Sequence, residues 1–452
     1  MNGDRIAATL RRPVVVALIW FAALTKFICT FTSLPPLAHR VDFTCYYDSA
    51  LAMRQGLDPY VTDLTAIGNR LGLVTANLIH AAATPAFLLC FEPLTRFSPA
   101  TAYWIWTSLN LLALAVASYL LLVRRTGLDA STAWLLGGLI LAFYPVGWNF
   151  YWAQSQVLVL ALMVLAMRAM EDERDGAAGL IIALAGLLRA FPFLLLGYFV
   201  LRRKPRALKF AIIGTIGGVF ATVAILGFAR CFSFFLNGEP WARDSRLPLV
   251  ISVAPSISPF VISVGPFASR MFFALFGSTH EWLRRAAIVG AEASVLCFTI
   301  RATLVGVGQR DDNYRIYSLW IVASVLLSPI AWHHYLVLLV IPFVQMVVAA
   351  YHRRPRRSAL WMAVGSYLLA YVSFPISYRL WTRPTAFQIA FPTLSAPLLE
   401  TGFFTLLMGY IAAYWFAVDL KSDDQAVELK RTGHHLLEGR STLDRSMYQI
   451  GG

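Results

Sequence analysis

Apolar residues in this chain come in unbroken stretches separated by short polar breaks, and they do not alternate with polar ones. A hydrocarbon core of about 30 Å needs roughly 20 apolar residues of helix, and Val14 to Leu34 meets that requirement at once. The pattern predicts an all-α polytopic membrane protein of about twelve transmembrane helices, at 14–34, 100–123, 132–148, 153–170, 177–188, 190–201, 207–228, 286–305, 316–331, 335–351, 358–375 and 399–418. Stretches 177–188 and 190–201 are each too short to cross alone, so they read as a bent pair that rises and returns around Arg189.

Basic residues fall in the breaks: Arg124-Arg125, Arg168 with Arg174, Arg202-Arg203-Lys204, Arg310 with Arg315, and Arg353 to Arg357. Placing these clusters in the cytoplasm puts both termini inside and leaves two long outer segments, 35–99 and 229–285, with Arg284-Arg285 as the exception to the charge pattern. Residues 1–13 then form a cytoplasmic N-terminus, 14–418 the membrane domain, and 419–452 a polar cytoplasmic tail. Val14–Leu34 follows Arg5, Arg11 and Arg12 as a secretory leader would, but its length and the Leu34-Pro35-Pro36-Leu37 sequence after it read as a retained anchor. In the first outer segment, Phe43–Gln55 reads as an amphipathic helix ended by the turn Gly56-Leu57-Asp58-Pro59-Tyr60. Thr75–Phe97, with Pro85 and Pro93, reads as an interfacial or re-entrant helix.

With 58% hydrophobic and 14% charged residues, the formal charge of +14 marks topology and does not imply a nucleic-acid partner. The five cysteines have no CxxC or CxxH spacing, so no metal or redox site is indicated. A disulfide between Cys45 and Cys231, both in outer segments, is permitted but not favoured.

Candidate chemistry gathers on the outer side. Asp42 lies just past the first span, outside the hydrocarbon, where a carboxylate escapes the roughly 2.5–3.5 kcal/mol cost of the bilayer centre and a lipid-linked substrate can reach it. It is the candidate acid-base group, and it is also placed to be an N-cap. Tyr46 and Tyr47 offer hydroxyls and a stacking face to a sugar, whereas Asp48, Asp58 and Asp63 read as solvated residues. In Ser328-Pro329-Ile330-Ala331-Trp332-His333-His334-Tyr335 the proline breaks a helix, which is tolerated only against protein or a wet cavity. Either His333 or His334 can donate to a phosphate or sugar oxygen; the alternative is an interfacial aromatic belt. Arg189, between apolar half-helices, needs an anionic partner, which is either an internal carboxylate (Asp42, Glu92 or Glu239) or a phosphate bound by its planar fork. Lys26 reads as snorkelling. Gln154, Ser155 and Gln156, beside Trp148 and Trp152, suit a carbohydrate surface or helix-helix hydrogen bonds.

Taken together, the aspartate before Tyr46-Tyr47, the Gly56–Tyr60 turn, the Gln154 turn, the Arg189-Ala190-Phe191-Pro192 break and the Ser328–Tyr335 run resemble glycosyltransferase family 87, over about Val14 to Ala417. The resemblance implies a C-type membrane glycosyltransferase architecture. It implies an inverting transfer of a sugar, usually mannose, from a polyprenyl-phosphate donor to a glycan or glycolipid acceptor, at the outer face of a bacterial plasma membrane. It implies that Asp42 is the general base, that Arg189 and His334 neutralise the leaving phosphate, and that no cofactor is needed. Three positions depart from the family's pattern: Ala153 replaces a usual glycine, Arg189 a usual lysine, and Ala254-Pro255-Ser256-Ile257-Ser258-Pro259 a usual asparagine-glutamine-serine stretch. A transporter or flippase of a lipid-linked or anionic substrate is the rival reading, since about twelve helices with a midplane arginine also describe carriers.

Overall fold

The computed structural model describes residues 12–32, 41–73, 81, 83–124, 127–237, 261–276, 280–305, 313–352, 357–382 and 400–418. The expected N-terminal and C-terminal cytoplasmic segments up to residue 11 and from residue 419, together with Glu239 and the Ala254–Pro259 stretch, lie outside the described residues.

The described residues form helices joined by turns, with no strand among them beyond an isolated bridge between Val261 and Trp332. The first half comprises α1 (Pro13–Thr32), α2 (Val41–Arg54), α3 (Leu64–Arg70), α4 (Pro85–Phe91), α5 (Pro99–Leu122), α6 (Ala130–Ala142), α7 (Tyr144–Trp152), α8 (Gln156–Glu171) and α9 (Asp175–Leu188). The second comprises α10 (Leu195–Leu201), α11 (Pro205–Leu226), α12 (Phe228–Asn237), α13 (Val264–Phe276), α14 (Glu281–Val305), α15 (Asn313–Leu326), α16 (Val340–His352), α17 (Arg357–Thr382) and α18 (Thr401–Val418). Tight 3₁₀ turns at Glu92–Arg96, Phe191–Leu194 and His333–Leu339 lead out of or into them. Among the described residues seven helices are long and apolar enough to cross a bilayer, or eight if α6 and α7 form one crossing bent by 47°. The chain is therefore a polytopic membrane protein, and several apolar helices, α9 among them, are shorter than a full crossing.

The single helix expected at 132–148 is broken at Phe143, whose backbone is extended (φ −56°, ψ 122°), just before Pro145. Proline withdraws a backbone donor, the Val146 N–H turns to the Phe143 carbonyl at 3.0 Å, and the Ala142 carbonyl is taken by the Tyr371 hydroxyl and by Lys26 Nζ at 2.5 Å. Lys26 thus does not snorkel. Its ammonium caps the break between the rings of Tyr144 and Tyr371, 5.3 and 4.3 Å from their centroids.

Small residues bring α9 against α11. A Cβ added to Gly179 would lie 2.1 Å from the Ala207 carbonyl, one on Gly214 would lie 3.0 Å from Ala183, and one on Gly218 would lie 2.2 Å from Leu187. Glycine at such positions lets two backbones approach closely within a membrane. The contacts ascend together along both helices, so α9 and α11 run parallel. Residues 191–201 must return between them, as the sequence pattern anticipated.

At one end of these helices charges pair: Arg124 with Asp172 at 2.8 Å, Lys204 with Asp175 at 3.1 Å, and buried Arg168 with Glu171. Arg284 and Arg285, the exception in the charge pattern, both bind Glu281, at 2.6 and 2.8 Å, and Arg284 also donates to Ser269 at 2.8 Å. Their charge is met locally.

Residues 229–285, expected as the second outer segment, hold two helices that the sequence reading did not anticipate. In α12 the exposed Phe228, Phe232, Phe235 and Leu236 oppose buried Cys231 and Ser233. Ahead of α13, the Ile262 N–H donates to the Ala331 carbonyl at 2.6 Å. Arg270 on α13 binds both oxygens of buried Glu400 at 2.6 Å and the Val261 carbonyl at 2.8 Å. Part of this segment is therefore folded back against the Ser328–His334 break. Cys45 and Cys231 are both free thiols.

Candidate active site

Asp42 is the second residue of α2, in its first turn and not at the N-cap position that the sequence allowed. There the carboxylate meets the positive end of the helix dipole. The helix is not amphipathic, because every side chain from Phe43 to Ala50 is buried under α3, α4, α7 and the Glu92–Arg96 turn. Enclosure by protein corrects the reading of α2 as an amphipathic helix, and with it the reading of Asp48. That side chain is fully buried, and neither carboxylate oxygen has a hydrogen-bond partner among the described residues. Loss of water raises it to about 7. Asp58 accepts from the Tyr60 N–H at 2.9 Å, and exposed Asp63 caps α3 through the Thr65 N–H; both lie in turns.

Arg189 is placed by the break after α9, where its backbone is extended (φ −147°, ψ 125°). The carbonyls freed there are satisfied by Thr84, whose hydroxyl donates to Leu187 at 2.7 Å and whose side chain also caps α4. The guanidinium donates from Nε to Ser155 at 3.0 Å, and from Nη2 to the Tyr46 hydroxyl and to Gln154 Oε1 at 3.5 Å. It also lies over the rings of Tyr46 and Phe87, 5.6 and 5.5 Å from their centroids. Of the three carboxylates weighed as its partner, Glu92 pairs with Arg54 at 3.7 Å, whereas Asp42 feels the guanidinium's charge.

Gln154 stands in the link between α7 and α8. Ala153 before it closes α7 in the left-handed region (φ 54°, ψ 42°), and the Gln154 N–H returns to the Asn149 carbonyl at 2.8 Å. The departure noted at Ala153 now has a physical meaning. Glycine adopts this conformation freely, while an L side chain pays about 1–2 kcal/mol. The Gln154 carbonyl oxygen accepts from the Tyr46 hydroxyl at 2.8 Å, which leaves its amide N–H₂ to bond Asp42. Burial raises Asp42 to about 6, while the Gln154 hydrogen bond and the Arg189 charge pull it back toward ionisation. A carboxylate held near 6 is ionised at neutral pH yet basic enough to take a proton.

The Ser328–Tyr335 run reaches this group from the other side. Buried Asn149 donates from Nδ2 to the Pro145 and His334 carbonyls, both at 2.8 Å, and so ties α7 to the start of the His333–Leu339 turn. His334 is close enough to sense Arg189, and Tyr335 close enough to act on Tyr46.

Asp42, Tyr46, Gln154 and Arg189 thus converge, with His334 at their edge. Two other candidates, Tyr47 and His333, make contacts elsewhere, and a third, Gln156, makes no hydrogen bond among the described residues. The Tyr47 hydroxyl donates to the Phe97 carbonyl at 2.7 Å. His333 packs on Gly402, where a Cβ would lie 2.3 Å from Nε2. Gln156 is wholly buried at the start of α8, and its amide has no partner among the described residues. Ser155, expected with Gln154 at this turn, accepts from Arg189, whereas Asn149 was not singled out by the sequence, because nothing local separates it from ordinary helix polar residues. Among the described residues no three His, Cys, Asp or Glu side chains gather into a group that could hold a metal ion.

A family model described as glycosyltransferase family 87 matches residues 84–329 of this chain. The match takes in Gln154 and Arg189 and stops short of Asp42 on one side and His334 on the other. No curated protein and no solved structure matches the chain.

Proposed function

Since this chain belongs to glycosyltransferase family 87 and is a membrane glycosyltransferase, we propose that it transfers a sugar, mannose in the first instance, from a polyprenyl-phosphate donor to a hydroxyl of a glycan or glycolipid acceptor. The proposed setting is a C-type fold of about twelve membrane segments, with the reaction at the outer face of a bacterial plasma membrane. The observation that carries this reading is the hydrogen-bonded convergence of one carboxylate, Asp42, with one guanidinium, Arg189, through Gln154 and Tyr46.

In this scheme the acceptor oxygen attacks the anomeric carbon from the side opposite the phosphate. As the new C–O bond forms, the bond from C1 to the phosphate oxygen breaks, so the configuration inverts. Asp42 takes the acceptor's proton, a contribution of typically 10²- to 10⁴-fold. Arg189, and His334 beside it, face the charge that grows on the departing phosphate. Gln154 orients the carboxylate. Family membership favours transfer over transport, and the gathering of these groups around one carboxylate agrees with it.

The test is transfer of radiolabel from polyprenyl-phosphate-mannose, and in parallel from polyprenyl-phosphate-glucose, to membrane lipids by vesicles carrying the wild type or Asp42→Asn. Transfer from one donor, lost in a folded Asp42→Asn protein, supports the reading. Equal transfer by both proteins removes Asp42 as base, and transfer from neither donor removes the proposed donor class.

A further inference from the structure

The hydrogen bonds around Tyr46 have a direction. Arg189 Nη2 donates to the Tyr46 hydroxyl, that hydroxyl donates its one proton to Gln154 Oε1 at 2.8 Å, and the amide so oriented presents its N–H₂ to Asp42. Tyr46 is buried, with its ring held edge-on against Phe87 at 4.8 Å and tilted against Phe91 at 6.0 Å. The hydroxyl proton that the sequence offered to a sugar is therefore committed inside the protein.

We propose that Tyr46 is a positioning residue whose hydroxyl, through Gln154, couples an anion held by Arg189 to the proton on Asp42, so that anion and proton bind cooperatively. The proposal rests on the reading of Arg189 as the donor-phosphate site. Without an anion, the guanidinium pulls on Tyr46, the polarised hydroxyl fixes the amide, and both the amide and the positive charge favour ionised Asp42. A phosphate on Arg189 takes up that charge and that donor. Asp42 then holds a proton more tightly, which makes it the stronger base when the donor is in place. Departure of the prenyl phosphate returns Arg189 to Tyr46 and releases the proton to water. By linkage, protonating Asp42 tightens anion binding by the same factor.

Arg189 is the charged group that acts on Asp42; Tyr335 and Cys45 also act on Tyr46, and His333 and Arg189 on His334. Arg54 pairs with Glu92 on the turn beside α2, and Arg70, Cys90 and Arg96 on the neighbouring elements are exposed. Asp48 is turned about 120° around α2 from Asp42.

The probe is citronellyl methyl phosphate, a phosphodiester that stays a monoanion from about pH 5 to pH 8, with binding measured at both limits on the purified full-length protein. The wild type binds about fivefold tighter at pH 5, the low end of ordinary coupling between sites. Tyr46→Phe keeps the ring and cuts the dependence to below about twofold, the part that the Arg189 charge exerts on Asp42 directly, with affinity at pH 8 within about threefold of the wild type. Gln154→Leu cuts the same path at its second member and serves if Tyr46→Phe does not fold. Asp42→Asn loses the dependence as well; a contribution from His334 persists in that variant and is thereby separated. The fivefold dependence retained in Tyr46→Phe or in Asp42→Asn, or absent from the wild type, overturns the coupling alone. Failure of the wild type to bind the probe, or equal binding by Arg189→Ala, overturns the phosphate site and the coupling with it.

Discussion

Replacing Asp42 by asparagine should move activity and stability in opposite directions. Burial holds the carboxylate at about 6 against an ordinary 3.8. A group whose folded value is raised binds its proton more tightly in the folded state, so the protein is most stable below about pH 4 with respect to this residue and loses that contribution as pH rises through about 6. The gap of 2.2 between those two values, at about 1.36 kcal/mol per pH unit, amounts to about 3 kcal/mol by pH 7. Asparagine keeps the shape and the bond to Gln154 without the charge, so it should recover up to about 3 kcal/mol at pH 7 and nothing at pH 4. The same change should lower the rate of transfer by 10²- to 10⁴-fold. In the wild type, the rate should fall about tenfold for each pH unit below about 6 as the base protonates. Thermal unfolding of both proteins at pH 4 and pH 7, with transfer rates from pH 5 to pH 8, reads all of this. An Asp42→Asn protein that is less stable than wild type at pH 7, or that keeps an acid limb near 6, refutes the reasoning.

Asp48 allows the same logic without the chemistry. Raised from 3.8 to about 7 by burial alone, it should cost about 4 kcal/mol above pH 7, and Asp48→Asn should raise the thermal midpoint at pH 8 but not at pH 4, with transfer unchanged. Ala153→Gly should relieve the left-handed backbone at φ 54° and stabilise the protein by about 0.5–1 kcal/mol, seen as a higher unfolding midpoint. Glu400→Gln should leave part-buried Arg270 facing a neutral amide and cost about 3 kcal/mol. Because Arg270 also holds the Val261 carbonyl, the residues paired with Ala331 and Trp332 should become more susceptible to proteolysis in that variant.

The helices were legible because hydrophobic run length is a local property. The expected stretches and the observed helices agree over most of their length, including the rise and return around Arg189, since a break flanked by half-length apolar runs has few other solutions in a bilayer. Where local and global demands differ, the sequence reading failed. Pro145 sits too close to a good apolar run to announce a 47° bend. Helix α12 has its aromatic residues at helical spacing, a signal that was present at Phe228, Phe232 and Phe235 but was masked by the assumption of an outer loop.

The sequence alone determined that this chain is a polytopic membrane protein, and its motifs pointed to a glycosyltransferase family and to Asp42, Gln154, Arg189 and His334, because apolar length and rare intramembrane charges can be read residue by residue. Only the tertiary structure decided which of the candidates share a site. Tyr46 and Tyr47 are neighbours in the chain, yet helical geometry sends one hydroxyl to Gln154 and the other to the Phe97 carbonyl. Asp48 reads as a surface residue in every local respect and is buried because elements far along the chain close over α2. Burial and partnership depend on what arrives from elsewhere in the fold, and that same arrival sets the charge of Asp42.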